Sequence, residues 1–311
     1  MVARLADVDY NLSHIKELAI SAIRDGAKVI ALPEFFTTSI VFGRRLWRCS
    51  LPEENKALDM LIDLARTNDV LLGGSYLEKR GRDVYNTYVL VQPDGTVTKH
   101  DKDRPTMVEN AFYTGGSDDG CHDTFMGRVG TAVCWETIRT DTVKRLKGRI
   151  DFLMTGSHWW SPPLKWYIGD AFFRKMAQQN LEYMAAAPAE IARLLGVSNM
   201  HAAHAGPIDG RILLFPTDRL TGKFNAHLMG ETQIINNNGA VKARMKREEG
   251  AGFITAEVEL TSAKPTLELS ERFWIPHLTT RFKFFWYHQN ICGKRMYQYA
   301  KENELLVALE Q

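Results

Sequence analysis

Apolar residues recur along the first quarter of the chain at the spacing of an amphipathic helix and then as a short continuous run. Residues 12–23 place Leu, Ile and Ala on one helical face, and residues 29–32 form an apolar run that Pro33 closes. A second helical stripe over residues 58–65 precedes a second apolar run over residues 70–76. Runs of this length are typical of strands buried on both faces, so the repeated helix and strand unit predicts an α/β protein.

Two hairpins with recognisable turns organise the rest of the chain. Residues 85–91 and 96–99 flank a Pro-Asp-Gly turn, and residues 232–235 and 240–245 flank an Asn-rich turn that ends at Gly239. Each half of the chain thus carries helix and strand pairs plus a hairpin, which predicts one compact domain with weak internal pseudo-symmetry. The other predicted elements are strands over residues 130–134, 150–155, 199–205 and 253–260 and helices over residues 140–147, 170–183 and 188–195.

The segment that begins at Glu271 differs from the rest of the chain in its density of aromatic and basic side chains. We therefore expect a domain over residues 1–270 and an arm over residues 271–311. The arm would pack on the surface of the domain or on a partner subunit. Its aromatic residues include Phe273, Trp274, Phe282, Phe284, Phe285, Trp286 and Tyr287.

Composition and charge narrow the class of partner. The chain has 311 residues, of which 45% are hydrophobic and 24% are charged, the balance of an ordinary soluble globular protein. Thirty-nine Lys and Arg against 37 Asp and Glu leave a formal charge of +2, too small for the basic surface of a nucleic-acid-binding protein. We therefore expect a small-molecule partner and no nucleic acid.

Signals for secretion, membrane insertion and disulfide formation are missing from the sequence. Residues 1–7 show no basic region followed by an apolar stretch, and the uncharged residues 152–164 are fewer than the ~20 that a spanning helix needs. The four cysteines lie far apart without a CxxC pair, which suits neither a disulfide framework nor a zinc ribbon. We expect a cytoplasmic protein with no transmembrane segment.

Three side chains that could carry chemistry stand at or near the ends of predicted strands. Glu34 ends one buried strand, Cys134 ends another, and Lys102 lies just past the first hairpin. Sheet enzymes place reactive groups at the carboxyl ends of their strands, so a base, a thiol and a cation that lowers the thiol pKa could meet there. Taken singly, each has a simpler explanation, since a buried Cys is usually inert and a loop Lys is usually solvated.

The order and setting of these residues resemble one family, the nitrilase-like carbon–nitrogen hydrolases. Residues 32–34, 100–106 and 130–136 look like that family's glutamate, lysine and cysteine motifs, in that order. Glu109 matches the additional glutamate that family members carry between the lysine and cysteine motifs. The resemblance continues to the late hairpin and covers most of the chain.

The resemblance implies an αββα four-layer sandwich, a triad of Glu34, Lys102 and Cys134, no metal ion and no organic cofactor, and a homo-oligomer, dimer or higher. In such a triad Glu34 takes the thiol proton while Cys134 attacks the carbon of an amide or nitrile. Lys102 and the backbone N–H of Trp135 then stabilise the developing negative charge. Glu109 orients Lys102 or the substrate.

Four further residues are candidates for the pocket or for metal binding. His158 and Trp159 follow a predicted strand and could wall the substrate pocket, with core or interface packing as an equal alternative. His201 and His204 form an HxxH pattern, but no third ligand stands at a zinc-like spacing, so we expect no metal there.

Two features depart from the family pattern. Family members begin with a strand, but only residues 1–6 precede the approach to the first helix here, so that strand is missing or truncated, or the start is misassigned. Residues 135–136 look like the nitrilase branch, whereas residues 137–139 do not continue its pattern. The choice between amide and nitrile therefore stays open.

The sequence predicts a thiol hydrolase that cleaves a non-peptide carbon–nitrogen bond of a small amide or nitrile. It would release ammonia or an amine and a carboxylic acid through a cysteine thioester or thioimidate. The alternatives are a nitrilase proper, an acyltransferase with the same triad, and an idle scaffold or membrane-peripheral binding module.

Overall fold

The computed structural model describes residues 1–162 and 170–309. The helices are α1 (Val8–Arg24), α2 (Lys56–Asn68), α3 (Thr140–Leu146), α4 (Asp170–Leu195) and α5 (Thr280–Glu302). The strands are β1 (Val29–Ala31), β2 (Leu71–Arg80), β3 (Asp83–Val91), β4 (Val97–Asp101), β5 (Cys121–Thr124), β6 (Gly127–Val133), β7 (Phe152–Ser157), β8 (Ser198–Ala203), β9 (Ala205–Phe215), β10 (Thr217–Ile235) and β11 (Val241–Lys246).

The strands form two sheets that pack face to face. The first has the order β1-β2-β3-β4, with β1 parallel to β2 and the other pairs antiparallel. The second has the order β11-β10-β8-β7-β6-β5, with β6, β7 and β8 parallel, and β9 pairs with β10 outside this path. The two layers approach closely at Gly156 of β7, where an added Cβ would lie 2.7 Å from the backbone N of Glu34.

Helices cover the outer face of each sheet. α1 and α2 pack on the first sheet through side chains such as Ile15 and Leu61, which share a buried cluster with residues of β2 and β3. α3 and α4 pack on the second sheet through side chains such as Val143 and Ile191, in a cluster with Leu153 of β7. These layers confirm the predicted αββα sandwich.

The two helices of the first layer begin at residues whose side chains cap them. The Asp7 carboxylate accepts a hydrogen bond from the backbone N of Tyr10 at the start of α1. The Asn55 side chain accepts two such bonds at the start of α2, from the backbone N atoms of Ala57 and Leu58, both at 3.0 Å. Capping oxygens of this kind satisfy backbone donors that have no partner inside the helix.

The two helices predicted over residues 170–183 and 188–195 are one continuous helix, α4, with Pro188 inside it. Proline in a helix removes one backbone hydrogen bond and costs about 3 kcal/mol. Buried residues precede and follow it, among them Met184 and Ile191. Packing on the second sheet therefore outweighs the proline signal, and the prediction of two helices is wrong.

The strand predicted over residues 253–260 is also wrong, since these residues carry no strand. Their alternation of apolar and polar residues suits a strand, but a strand also needs a neighbour for its backbone groups. Here the backbone N of Glu259 bonds to the side chain of Asn236, and residues 252–254 line a groove of about 90 Å³ with α1 and β1.

Residues 1–6 form no strand, and β1 is the edge of the first sheet.

The long hairpin of β9 and β10 is an element that the sequence analysis missed. Its two strands pair from Ala205 and Met229 at the sheet end to Leu213 and Thr221, and again, after a shift in register, at Phe215 and Thr217 near the tip. β10 then continues into the second sheet, where it pairs with β8 and β11. The hairpin contacts the segment after β1 through Phe42 and Arg211, and it contacts α5 through Gln289 and Leu213.

The C-terminal helix α5 packs against the short 3-10 helix Met107–Ala111. The Asn290 side-chain oxygen accepts hydrogen bonds from the backbone N of Met107 at 2.9 Å and from the Asn110 side chain at 2.8 Å.

The division of the chain into a domain and an arm at residue 270 stays a prediction. Within the described ranges, no helix has the length and apolar character needed to cross a bilayer.

Candidate active site

Three candidate residues reach one buried site from the ends of three strands. Glu34 lies just after β1, Lys102 directly after β4, and Cys134 directly after β6. Both charged side chains are fully buried, and Cys134 is 2% exposed. The structure thus brings together the carboxylate, the cation and the thiol that the sequence placed at strand ends.

The Glu34 carboxylate is held by three donors. Its Oε1 accepts hydrogen bonds from Lys102 Nζ and Asn86 Nδ2, both at 2.8 Å, and its Oε2 accepts one from the backbone N of His158 at 2.8 Å. Burial nevertheless raises the pKa of Glu34 to about 7, because desolvation outweighs the attraction of Lys102. A carboxylate with a pKa near neutrality is suited to accept and return a proton.

Lys102 lies between two carboxylates. Its Nζ donates to Glu34 Oε1 at 2.8 Å and to Glu109 Oε2 at 2.6 Å. Burial alone would lower the pKa of Lys102, but the Glu109 and Glu34 charges raise it well above its usual value. Glu109 Oε2 also accepts hydrogen bonds from the Tyr113 hydroxyl and, at 2.9 Å, from the backbone N of Thr106. Lys102 therefore stays a fixed ammonium.

Cys134 stands at the junction between β6 and the 3-10 helix Cys134–Ile138 in a left-handed backbone conformation, with φ 54°. Phe35, next to Glu34, and Met107, near Glu109, share this conformation with φ 53° each. Non-glycine residues seldom adopt positive φ, and such strain is typically found at functional sites. Cys134 is itself a residue of the candidate site, and Phe35 and Met107 lie near Glu34 and Glu109.

The thiol of Cys134 is near both carboxylates. A carboxylate oxygen of Glu34, a carboxylate oxygen of Glu109 and the Sγ of Cys134 lie within 4.8 Å of one another. Burial raises the pKa of the Cys134 thiol well above its usual value, and the Glu34 charge adds to this, while Lys102 lowers it by less. Lys102 thus lowers the thiol pKa as predicted, but burial and the Glu34 charge outweigh it, and the resting thiol keeps its proton.

Glu136 connects the loop of Cys134 to the loop of Lys102. Its carboxylate accepts hydrogen bonds from the backbone N of Val133 at 2.7 Å and from the backbone N of Asp103 at 3.1 Å. Arg145 and His100 bind the same carboxylate. Glu136 lies within the cysteine motif but was not among the predicted site residues, and its contacts hold the two loops together.

A cavity of about 500 Å³ opens beside Cys134, and the three predicted pocket residues Trp135, His158 and Trp159 all line it. The ring centroids of Trp135 and Trp159 are 5.5 Å apart. The His158 ring accepts a hydrogen bond from the backbone N of Ile40, and burial lowers its pKa to about 3, so it is neutral. The pocket wall thus contains the predicted residues.

The two histidines of the HxxH pattern have different partners. His201 bonds to the hydroxyls of Thr155 and Ser157 within the second sheet. His204 Nε2 bonds to the backbone oxygen of Glu34 at 2.6 Å and so helps to fix the backbone of Glu34. His204 is therefore a neighbour of the candidate site that sequence reasoning left out.

The carbon–nitrogen hydrolase family profile matches residues 2–266. The chain is 29% identical over 152 residues to an aliphatic nitrilase of Rhodococcus rhodochrous, a match that covers 43% of this chain and 40% of that protein. It is 28% identical over 155 residues to an omega-amidase of Yersinia enterocolitica, covering 49% of this chain and 58% of that protein. The match thus spans about half the length of these relatives.

A solved carbon–nitrogen hydrolase of Helicobacter pylori G27 superposes with a TM-score of 0.64 at 16% identity, covering 84% of this chain and 87% of that one. At this identity the likeness shows the fold. The family profile matches most of the sequence, and the superposition agrees with it in fold. The chain belongs to the carbon–nitrogen hydrolase family of the nitrilase superfamily.

Proposed function

We propose that this protein is a thiol hydrolase that cleaves a non-peptide carbon–nitrogen bond of a small amide, with a nitrile as the alternative substrate. The observation that carries the proposal is the position of Lys102 Nζ, 2.8 Å from Glu34 and 2.6 Å from Glu109, in the cluster that contains Cys134. This arrangement supplies a base, a fixed positive charge and a nucleophile in one dry site.

In the first half of the reaction, the Cys134 sulfur attacks the amide carbon while its proton moves to Glu34. The carbonyl oxygen becomes negative, and the Lys102 ammonium and the backbone N–H of Trp135 stabilise it. The carbon–nitrogen bond then breaks, and the leaving nitrogen takes the proton from Glu34. Ammonia or an amine departs, and a thioester remains on Cys134.

In the second half, a water molecule gives a proton to Glu34 and attacks the thioester carbon. The carbon–sulfur bond breaks, the sulfur takes the proton back, and the carboxylic acid leaves. With a nitrile, the thiol first adds across the triple bond to give a thioimidate. Water then adds to it and ammonia leaves, which gives the same thioester.

The protonation states support this sequence of steps. Because burial keeps the Cys134 thiol protonated, the nucleophile depends on a base within reach. Glu34, with a pKa of about 7, can fill that role near neutral pH. Glu109 keeps Lys102 charged and in place while Glu34 exchanges protons.

The test combines ammonia release with intact-protein mass spectrometry on a panel of small amides and nitriles. We expect ammonia and a covalent adduct that maps to Cys134 in the wild-type protein, and neither in Cys134→Ala. Cys121→Ala, at a half-buried cysteine of β5, is the matched control and should keep both signals. Full turnover by Cys134→Ala would refute the proposal, and transfer of the acyl group to an added amine would indicate an acyltransferase.

A further inference from the structure

One wall of the cavity beside Cys134 comes from α5. Phe282, Phe284 and Phe285 line the cavity from this helix. α5 spans Thr280–Glu302, beyond residue 266, where the family match ends. This wall is therefore contributed by a part of the chain that lies outside the family match.

α5 is fixed to the site by specific contacts at its centre and its far end. Asn290 accepts hydrogen bonds from the 3-10 helix that carries Glu109. Gly293 lies so close to this helix that an added Cβ would be 2.7 Å from the Cβ of Asn110. Near the end of the helix, Tyr297 donates to Asp83 at 2.9 Å. The centre and the far end of α5 are thus anchored, and the centre lies against the 3-10 helix that carries Glu109.

The other walls of the cavity are mostly apolar and aromatic. Trp135 and Trp159 face it near the thiol, and Trp160, Met176 and Ile212 continue the lining. Aromatic walls favour aryl groups, because rings gain from edge-to-face and offset contacts beyond their burial. An ionised group in such surroundings would lose its hydration at a large cost unless it were paired. Arg281, at the start of α5, also lines the cavity, so succinamate tests whether a charged acyl group binds there.

The size of the cavity also favours a bulky acyl group. Its volume of about 500 Å³ lies within the roughly 300–1,000 Å³ of pockets that enclose a whole small molecule. A cavity of about 150 Å³ already holds benzene. A substrate as small as a two-carbon amide would leave most of this lining without contacts.

We propose that the acyl group of the substrate is uncharged and bulky, an aryl or arylalkyl group, and that α5 selects it through Phe282 and Phe285. This inference rests on the proposed function, since it names the substrate class of the same site. The Phe285 side chain is the residue of choice for a test, because it lines the cavity and is only partly buried in the core.

The experiment compares kcat/KM for three amides that differ only in the acyl group: 3-phenylpropionamide, propionamide and succinamate, each also tried as its nitrile. We expect the phenyl compound to be preferred at least tenfold, and Phe285→Ala to lower its kcat/KM about tenfold more than that of propionamide. Tyr299→Ala, an exposed residue of α5, is the matched control and should change neither. If Phe285→Ala does not fold, Phe285→Leu replaces it.

The outcomes separate the two proposals. Preference for propionamide or succinamate, or an equal loss for all substrates in Phe285→Ala, would overturn the assignment of an aryl class while leaving the hydrolase intact. Absence of turnover and of any adduct at Cys134 would instead overturn the hydrolase. In that case the amides are titrated into Cys134→Ala, where tenfold tighter binding of the phenyl compound supports the aryl pocket and equal binding refutes it.

Discussion

The buried His100 gives the protein a pH-dependent contribution to stability that can be worked out from its contacts. His100 Nδ1 bonds to the Asp118 carboxylate, and its Nε2 bonds to Glu136 Oε2 at 3.1 Å. Burial alone would lower the pKa of His100, but Glu136 and Asp118 raise it from 6.5 to about 9. Between these values the folded protein holds a proton that the unfolded chain has lost.

The sign and size of the effect follow from this difference. A group whose pKa is raised on folding stabilises fully below its unfolded pKa, and the stabilisation is lost as the pH rises through the folded pKa. One pH unit corresponds to about 1.4 kcal/mol, so the interval from 6.5 to about 9 amounts to about 3 kcal/mol. Between pH 6.5 and about pH 9, the titration of His100 alone should lower the free energy of unfolding by about 3 kcal/mol.

Urea unfolding of wild type, His100→Asn and Asp118→Asn at pH 6.5 and pH 9 measures this contribution. The pKa values of Asp118, His122 and Glu136, neighbours that interact with His100, all lie below 6.5. The difference between wild type and variant over this pH range therefore isolates His100. We expect the loss between the two pH values to be about 3 kcal/mol smaller in His100→Asn and smaller by an intermediate amount in Asp118→Asn. If His100→Asn does not fold, Asp118→Asn decides alone, and identical pH dependence in wild type and variants would refute the reasoning.

Three further predictions concern the active site and α5. Activity should rise with pH through about 7 because Glu34 must lose its proton to act as base, and Glu34→Gln should abolish turnover; a flat profile between pH 5.5 and 8 would contradict this. Glu136→Gln should lower the free energy of unfolding by about 3 kcal/mol or more in urea titrations, whereas the exposed control Glu248→Gln should not. Gly293→Ala should cost about 1–3 kcal/mol through overpacking, whereas Gly43→Ala, with open space around it, should change stability by less than about 1 kcal/mol.

The pattern of the sequence was sufficient to predict an α/β protein and two central residues of the site, and the family resemblance supplied the four layers. Buried apolar runs separated by helices predict parallel strands, and a polar residue that directly follows such a run, such as Glu34 or Cys134, lies at the carboxyl end of its strand. Lys102 was a candidate because it follows the first hairpin, and the family resemblance added Glu109. The structure puts all four in one buried cluster.

Residues that hold the cluster together were beyond the reach of sequence patterns. Asn86 lies in β3, and its side chain donates to Glu34, which is 52 positions away. An isolated polar residue in a strand looks the same whether it faces a carboxylate or water, so only the packing of the two sheets shows its role. Tyr113 lies four positions after Glu109, but its contact with that carboxylate depends on the turn between them.

The errors in secondary structure have the same cause. Local signals favoured a break at Pro188 and a strand over residues 253–260, and long-range contacts decided otherwise in both places. Whether an alternating segment becomes a strand depends on a partner for its backbone, which local sequence does not specify. The aromatic composition of the C-terminal region likewise gave no sign that Phe282 would line the cavity.

The position of β1 at the sheet edge has a consequence for the behaviour of the protein at high concentration. Edge strands present unpaired backbone groups that invite pairing with another chain, and β1 has only three residues with which to do so. The apolar groove beside it, lined in part by Ile15 and Phe253, adds burial to that pairing. Self-association through this edge, on the side of the first sheet away from β4, would raise the apparent molar mass measured by light scattering as the concentration increases, irrespective of substrate.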